Sequence, residues 1–303
     1  MWGVTDTERA YRVLVSEIML QQTQVSRVKI VFRLFLERFP HLEDLAAATN
    51  REVILAWRGM GYNNRALRLR DAARAVVREH GGAFPRAAAV LTDLPGIGPY
   101  TAAALLNFAF NIPTPCLDTN IRRILHRTFY GPENPDGTWP VPDQALLVLA
   151  KEILTIALRH RQPLGFSSTA AEWHAALMDF GSLVQTKNNP RWDICPLTKK
   201  GIMKTTQRSF ARVRVDRAKS AADHARREPG RFVGSRFVPN RIFRGRIIEA
   251  LRNADKGLTL PAIGREICID WDDGRRAWLE ALLQKLSAEA LIRKKGRNYV
   301  LGE

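Results

Sequence analysis

Residues 91–127 read LTDLPGIGPYTAAALLNFAFNIPTPCLDTNIRRILHR, and this stretch decides the fold expected for the rest of the chain. It opens with a short glycine-rich turn, Leu94-Pro95-Gly96-Ile97-Gly98, and continues into an apolar segment predicted to be helical from Tyr100 to Phe110. Glycine permits backbone conformations denied to other residues and allows another backbone to approach closely. Because the first amides of a helix lack an intrahelical partner, the turn is suited to hold a phosphate.

The charge balance of the 303 residues points to a polyanionic partner. Lysine and arginine number 47 against 30 aspartates and glutamates, a net charge of +17. Such a surplus favours nucleic acid, through counterion release, over a merely soluble basic protein. No apolar run approaches the ~20 residues of a membrane helix, and no signal peptide is visible, so a cytoplasmic, nucleoid-associated location is expected. The three cysteines are far apart, which fits a reducing compartment without a disulfide framework.

A carboxyl group interrupts the first apolar segment, residues 10–39, which is predicted to form one or two helices. Projected on a helix, one stripe is expected to be buried, and it consists of Val13, Glu17, Leu20, Gln24, Val28, Val31 and Phe35. A glutamate on such a face carries a desolvation cost unless it has a partner or a function. A glutamate bonded to a neighbouring helix end is the ordinary interpretation, and a functional acid kept protonated by loss of solvent is the alternative.

The surrounding segment favours the functional interpretation. Ser16-Glu17-Ile18-Met19-Leu20-Gln21-Gln22-Thr23-Gln24-Val25 closely resembles a signature of adenine DNA glycosylases of the MutY type. The Leu94–Gly98 turn, followed by Leu117-Asp118-Thr119-Asn120, resembles the hairpin-and-aspartate core of the helix-hairpin-helix (HhH-GPD) DNA glycosylases. The turn alone is weak evidence, but together with the aspartate it is strong. The resemblance covers residues 10–200.

The resemblance implies an all-α fold with two helical lobes. A six-helix lobe that carries the hairpin is expected at residues 12–128, and a second lobe at residues 1–11 and 129–202. A basic linker is expected at 203–240, and it either is solvated or lies along phosphates. Three helical segments and two strands at 241–303 resemble a winged-helix domain, which would bind DNA or a partner protein. Relatives begin with further residues before a tryptophan that Trp2 matches, so a longer N-terminus is expected.

Two carboxyl groups in different surroundings suit the cleavage of a glycosidic bond. Asp118 precedes a helix predicted at residues 120–129, whose positive end favours the ionised form, although a plain N-cap is the ordinary interpretation. The resemblance implies that Glu17 protonates adenine at N7 and that Asp118 stabilises the positive charge growing on the deoxyribose. Asn120 would orient the water or the Asp118 carboxylate, with the target nucleotide flipped out of the duplex.

Two tyrosines carry further expectations. Tyr100 stands where bifunctional relatives place a lysine that forms a Schiff base, so a monofunctional enzyme is expected. Tyr62 is either a core aromatic or, as the resemblance implies, a wedge that enters the base stack. Asn63 stands where the family usually has a second tyrosine. The residues expected to contact DNA are Gln21, Gln22, Thr23, Gln24, Tyr62, Arg65, Leu94, Gly96, Ile97, Gly98 and Thr101.

The loop from Gly181 to Gly201 departs most from the family. Relatives usually hold an iron–sulfur cluster here with four cysteines spaced C-x6-C-x2-C-x5-C, and the matching positions are Gln185, Trp192, Cys195 and Gly201. A cubane cluster needs four ligands, so neither a cluster nor any other metal or cofactor is expected. Trp192 is expected to fill part of the vacated volume.

The predicted function is base-excision repair by a monomeric DNA glycosylase that removes adenine mispaired with guanine or 8-oxoguanine. Tyrosine at position 100 also occurs in thymine–guanine mismatch glycosylases, and no trace is visible of the C-terminal domain with which MutY proteins recognise oxidised guanine. A thymine or uracil glycosylase acting on T:G or U:G mismatches therefore remains an alternative. A DNA-binding protein without catalysis is the second alternative, against which Glu17, Asp118 and Asn120 argue.

Overall fold

The computed structural model describes residues 5–159, 169–213 and 229–303. Helices dominate this part of the chain, as predicted, and none of the helices in it is long and apolar enough to cross a membrane. The chain divides into two compact units, Met1–Pro85 with Ala89–Ile97 and Glu228–Glu303, and Arg86–Ala88 with Gly98–Arg227. Trp2 and the basic residues of the expected linker between positions 214 and 228 lie outside the described residues.

This division differs from the domain boundaries predicted from the sequence. Residues 98–128, expected in the first lobe, belong to the second unit, because Ile121 and Leu125 share a buried cluster with Leu146 and Ala150. The C-terminal module, Glu228–Glu303, in contrast belongs to the first unit.

Six helices occupy residues 6–93, namely α1 (Asp6–Leu20), α2 (Val25–Arg38), α3 (Leu42–Ala47), α4 (Asn50–Ala56), α5 (Asn64–His80) and α6 (Ala88–Asp93). The start of α1 is fixed by a reciprocal capping box. The Thr5 hydroxyl accepts from the Glu8 amide at 3.1 Å, and the Glu8 carboxylate accepts from the Thr5 amide at 2.9 Å. The same pattern starts α4, and Phe35 of α2 packs edge-on against the fully buried Trp57 at the end of α4.

The C-terminal module contains two small antiparallel sheets and three helices, α12 (Asn240–Arg252), α13 (Leu260–Ile267) and α14 (Arg276–Ala288). One sheet has the strand order β3 (Leu258–Thr259), β5 (Asn298–Leu301), β4 (Ile292–Lys295), in agreement with the expected winged-helix arrangement. The other is a hairpin, β1 (Gly230–Val233) with β2 (Arg236–Pro239), where only a linker was expected. Phe232 packs edge-on against Phe237 across this hairpin, and this apolar pair supports it despite the flanking arginines.

The C-terminal module shares its hydrophobic core with the first helices. Ile54 of α4 and Leu67 of α5 are buried in the same cluster as the leucines and isoleucines of the module. The Asn50 amide donates to the Ala290 carbonyl at 3.0 Å, and a Cβ on Gly302 would lie only 2.2 Å from the same oxygen. Because the packing is continuous, the module is an integral part of the first unit.

The helices of the second unit are α7 (Pro99–Ala104), α8 (Thr119–Phe129), α9 (Asp143–Arg159), α10 (Ala170–Asp179) and α11 (Pro196–Lys199), and residues 207–213 are also helical. The predicted helix from Tyr100 to Phe110 is α-helical only in its first half and continues as a π-helical turn, Leu105–Ala109. Asn107 explains the change, because its buried amide donates to the carbonyls of Ala103 and Thr114.

His126 on α8 makes the stability of the second unit pH-dependent. Its ring is fully buried, stacks on Trp139 with 4.5 Å between ring centroids, and neither ring nitrogen meets a hydrogen-bond partner in the described residues. Burial and the Arg122 guanidinium lower the pKa of His126, and the carboxylates of Asp143 and Glu133 oppose this shift. The fold therefore favours the neutral ring, and stability is expected to fall as pH decreases through the unfolded-state pKa of about 6.5.

We expect His126→Phe to flatten this pH dependence, because phenylalanine keeps the stack on Trp139 and binds no proton. The measurement is the midpoint of thermal unfolding between about pH 7.5 and about pH 5.5. Some dependence will remain, since burial also lowers the pKa of His174. His80→Phe, which removes a half-buried histidine at the end of α5 in the first unit, is the control. Equal slopes in His126→Phe and the wild type would contradict the assignment.

Candidate active site

In the first unit, one guanidinium joins the glutamine motif to the turn that carries Tyr62. Arg65 donates to the carbonyl oxygens of Gln21 and Met60 and to the Thr23 hydroxyl, the last two at 3.1 Å. Its carbon Cζ lies 5.7 Å from the centre of the Tyr62 ring. Arg65 is only 9% exposed, so the contact with DNA expected of its side chain is replaced by a structural role.

The glutamine motif forms the connection between α1 and α2. Gln21 is the C-cap of α1, Gln22 has a left-handed backbone with φ of 54°, and Gln24 precedes α2 as its N-cap. The single stripe expected across residues 13–35 is therefore wrong, because the helix breaks at this motif and both Leu20 and Gln24 are exposed. The break exposes Gln22 and Gln24 on a turn, where their amides can reach a ligand.

Glu17 lies at the edge of the buried face of α1. The neighbouring Ile18 and Met19 are buried, whereas Glu17 itself is half-buried. The desolvated environment expected for this carboxyl group is therefore found only in part.

Tyr62 is displayed at the surface on a strained turn. Its side chain is 47% exposed, which argues against the core interpretation. Its φ of 43° is unusual for an aromatic residue, and the flanking turn needs the positive φ angles of Gly59 and Gly61. Such strain persists only where surrounding contacts hold the backbone in place, and Arg65 supplies part of them.

The hairpin motif contributes backbone atoms to the surface of the protein. Gly96 has a φ of 76°, and a Cβ there would lie 2.9 Å from the Cβ of Arg68, so only glycine fits. Leu94 and Ile97 are buried, as is Thr101 in the second unit, so any contact of these three residues with DNA would have to use their main chain. Gly98 is exposed and forms the N-cap of α7.

In the second unit, Asp118 is fixed by hydrogen bonds to both carboxylate oxygens. Oδ1 accepts from the Ile121 amide at 2.6 Å as the N-cap of α8, and Oδ2 accepts from Asn120 Nδ2 at 2.8 Å. The side-chain oxygen of Asn120, Oδ1, in turn accepts from Arg123 Nη2 at 2.6 Å. Asp118 is thus an N-cap and, in addition, a half-buried carboxylate with a defined orientation.

Arg123 is the residue of this network that sequence reasoning missed. It donates to the carbonyl oxygens of Gly181 and Gln185, both at 2.7 Å, and so ties the Asn120 amide to the turn after α10. Gly181 is required here, because a Cβ would lie 2.6 Å from the Cβ of Asn120. Burial lowers the pKa of Arg123, but a guanidinium stays charged at neutral pH. In the sequence Arg123 reads as an ordinary basic residue of α8.

The predicted catalytic residues are divided between the two units. Glu17 belongs to the first, and Asp118, Asn120 and Tyr100 belong to the second. Tyr100 is half-buried at the second position of α7.

The loop where relatives have iron–sulfur ligands is packed with protein atoms around its remaining thiol. The buried Cys195 Sγ accepts from Gln185 Nε2 at 3.3 Å and lies 3.6 Å from Met203 Sδ. Trp192, expected to fill this volume, is half-buried and packs edge-on against Phe210. In the described part of the chain, histidine, cysteine, aspartate and glutamate form no group of three or more that could hold a metal ion.

A buried ion pair holds the same loop. Arg127 and Glu133 are almost completely buried, and Arg127 Nη2 lies 3.0 Å from Glu133 Oε1. Arg127 also donates to the carbonyl oxygens of Thr186 and Lys187 at 2.9 and 3.2 Å, and its guanidinium lies over the Phe210 ring. These contacts fasten the loop to α8.

Comparison with known proteins shows the family of the chain. The family model "HhH-GPD superfamily base excision DNA repair protein" matches residues 15–138. The adenine DNA glycosylase of Mycolicibacterium smegmatis is 32% identical over 298 residues, which cover 97% of this chain and 88% of that protein. The adenine DNA glycosylase of Homo sapiens is 38% identical over 190 residues, 62% of this chain and 32% of that protein.

Solved structures show the same class of fold. A thermostable thymine-DNA glycosylase has a TM-score of 0.56 at 25% identity, covering 68% of this chain and 86% of the other. An endonuclease III–DNA complex has a TM-score of 0.52 at 20% identity over 65% of this chain and 83% of the other. The fold is that of the helix-hairpin-helix DNA glycosylases. The chain belongs to the HhH-GPD superfamily of base excision DNA repair proteins, within the family of adenine DNA glycosylases.

Proposed function

We propose that the protein is a monofunctional glycosylase that removes adenine mispaired with guanine or 8-oxoguanine in double-stranded DNA. The observation that carries this proposal is the fixed Asp118 carboxylate at the N-terminus of α8, oriented by the Ile121 amide and Asn120. A carboxylate in this setting stabilises the positive charge of an oxocarbenium-like transition state. The glutamine motif and the relationship to adenine DNA glycosylases over 97% of the chain support adenine as the base.

In the proposed reaction, Glu17 donates a proton to N7 of the flipped adenine and weakens the bond between C1′ and N9. Asp118 stabilises the charge that develops on the deoxyribose as this bond breaks. A water molecule oriented by Asn120 or Asp118 then adds to C1′, so that the products are free adenine and an abasic site. Because Tyr100 has no amine, the strand is left uncut.

The remaining contacts are assigned to exposed groups of the first unit. Gln22 and Gln24 stand on the turn between α1 and α2 and would contact bases at and opposite the vacated position. Tyr62 would enter the base stack as a wedge. With a net charge of +17, the protein would act as a monomer on the DNA of the nucleoid.

Four duplexes test the choice of base, with A opposite 8-oxoG, A opposite G, T opposite G and U opposite G. We expect adenine release from the first two, measured as alkali-labile sites, with no strand cleavage before alkali. Release of thymine or uracil alone would favour the alternative suggested by the likeness to the thymine-DNA glycosylase. No abasic site in any duplex at excess protein would favour a non-catalytic DNA-binding protein.

Asp118→Asn tests the role of the carboxylate. Asparagine is as good an N-cap as aspartate, so the start of α8 is expected to persist. Loss of the negative charge is expected to lower single-turnover excision by on the order of a hundredfold or more, with little change in DNA affinity. Asp143→Asn is the matched control, because it removes an exposed carboxylate that pairs with Arg122 in the same unit. Equal loss of affinity and rate in Asp118→Asn would indicate a structural role.

We also propose that the protein works without an iron–sulfur cluster, since Gln185, Met203 and the Arg127–Glu133 pair occupy and fasten the loop in question. The purified protein is expected to be colourless and to lack bound iron. Cys195→Ala is expected to retain excision, because the thiol is not needed as a ligand. Iron in stoichiometric amount, with visible absorbance that Cys195→Ala abolishes, would contradict this proposal.

A further inference from the structure

Two arginine side chains donate hydrogen bonds to the turn that carries Tyr62, and one of these arginines belongs to the C-terminal module. Arg65 Nη2 donates to the carbonyls of Met60 and Gly61. Asn63 receives a hydrogen bond from Arg252, at the end of α12, with 2.9 Å between Nη2 and the Asn63 Oδ1. The two arginines lie 187 positions apart in the sequence and hydrogen-bond to residues on either side of Tyr62.

Arg252 is built into the interface as a buried cation. It is 8% exposed, it donates twice to the Ile54 carbonyl at 2.9 and 3.2 Å, and it pairs with the Glu249 carboxylate at 2.8 Å. The Ile54 carbonyl lies in the last turn of α4, where such oxygens lack intrahelical partners. The polar contacts of this side chain therefore join α12 to the end of α4 and to the turn that carries Tyr62.

The Asn63 side chain is used for the contact with Arg252 and does not cap α5. It occupies the N-cap position of α5, where an asparagine side chain ordinarily accepts from an amide of the first turn. Here the side chain makes no capping bond, is buried, and is turned to Arg252 instead. The side chain of Asn63 thus connects the turn to the module.

Packing alone does not support the turn on the side of the module. A cavity of about 510 Å³ lies there, lined by residues 60–64 of the turn and by Arg241, Ile242 and Gly245 of α12 among others. Since Tyr62 carries a left-handed backbone, its turn needs contacts that hold it. Asn63 lines this cavity, and its hydrogen bond with Arg252 supplies one such contact.

We propose that Arg252 is a positioning residue, through which the C-terminal module holds the Tyr62 turn in the geometry that unstacks DNA. This inference rests on the proposed function, in which Tyr62 is the wedge. The module thereby takes part in base extrusion without touching the reacting atoms. The match to the mycobacterial adenine glycosylase extends over the module, whereas the match to the human protein covers only 62% of this chain.

The test compares contacts that join the module to the first helices at different places. Arg252→Met keeps an unbranched apolar stem and removes the donors, and Asn63→Ala removes the acceptor. Asn63→Asp keeps an acceptor and is the conservative rescue. Arg51→Met is the matched control, because it removes the contact with Asp255, 2.6 Å long, away from the turn. Thermal unfolding and DNA affinity are measured for each variant to separate positioning from folding.

The direct readout is the fluorescence of 2-aminopurine placed beside the mismatch, which rises when the base is unstacked. We expect Arg252→Met and Asn63→Ala to abolish most of this rise and to lower single-turnover excision about tenfold, because a hydrogen bond from a charged donor is lost. The double variant is expected to be no worse than either single one. Asn63→Asp and Arg51→Met are expected to keep the rise.

The fluorescence and excision readouts distinguish the two proposals. If the wild type unstacks 2-aminopurine but excises no adenine, the proposed reaction fails while the fluorescence of the variants still decides the role of Arg252. Equal signals from Arg252→Met and Arg51→Met, or no rise with the wild type, would overturn the positioning role.

Discussion

A buried guanidinium that donates to carbonyl oxygens at the ends of helices is the interaction on which the placement of candidate functional residues in each unit depends. The last carbonyls of a helix have no intrahelical partner and lie at its negative end. Arginine presents five donors in a fixed fork and stays charged when buried, so one side chain can serve several such oxygens. Arg65 does this at the end of α1, Arg123 after α10, and Arg252 at the end of α4.

Each of these arginines also places a residue to which a function is assigned. Arg65 and Arg252 flank the Tyr62 turn, and Arg123 holds the Asn120 amide that donates to Asp118. A charge removed from water carries a desolvation cost, which is offset only when nearly all its donors are engaged. That requirement makes the arrangement stiff, because moving one loop leaves a buried donor without an acceptor.

The sequence predicted the parts of the fold that depend on local chemistry. The N-cap at Asp118, the helix that follows it and the three helices of the C-terminal module depend on residues within a few positions of one another. It allowed one or two helices over residues 10–39 but did not place the break at residues 21–24, where Arg65 donates to carbonyl oxygens at the end of α1. The bond between Arg252 and Asn63 was likewise hidden, since no local pattern couples positions so far apart.

The same arginines count toward the large positive charge but are not available to contact phosphates. A net charge of +17 predicts strong attraction to DNA over distance, and buried cations contribute to that long-range field. The salt dependence of binding, however, reports only the cations that replace counterions at phosphates. Arg65, Arg123, Arg127 and Arg252 are buried and engaged within the protein, so they cannot be counted among these. Phosphate contacts must therefore come from exposed side chains and backbone amides, and they are fewer than the composition alone suggests.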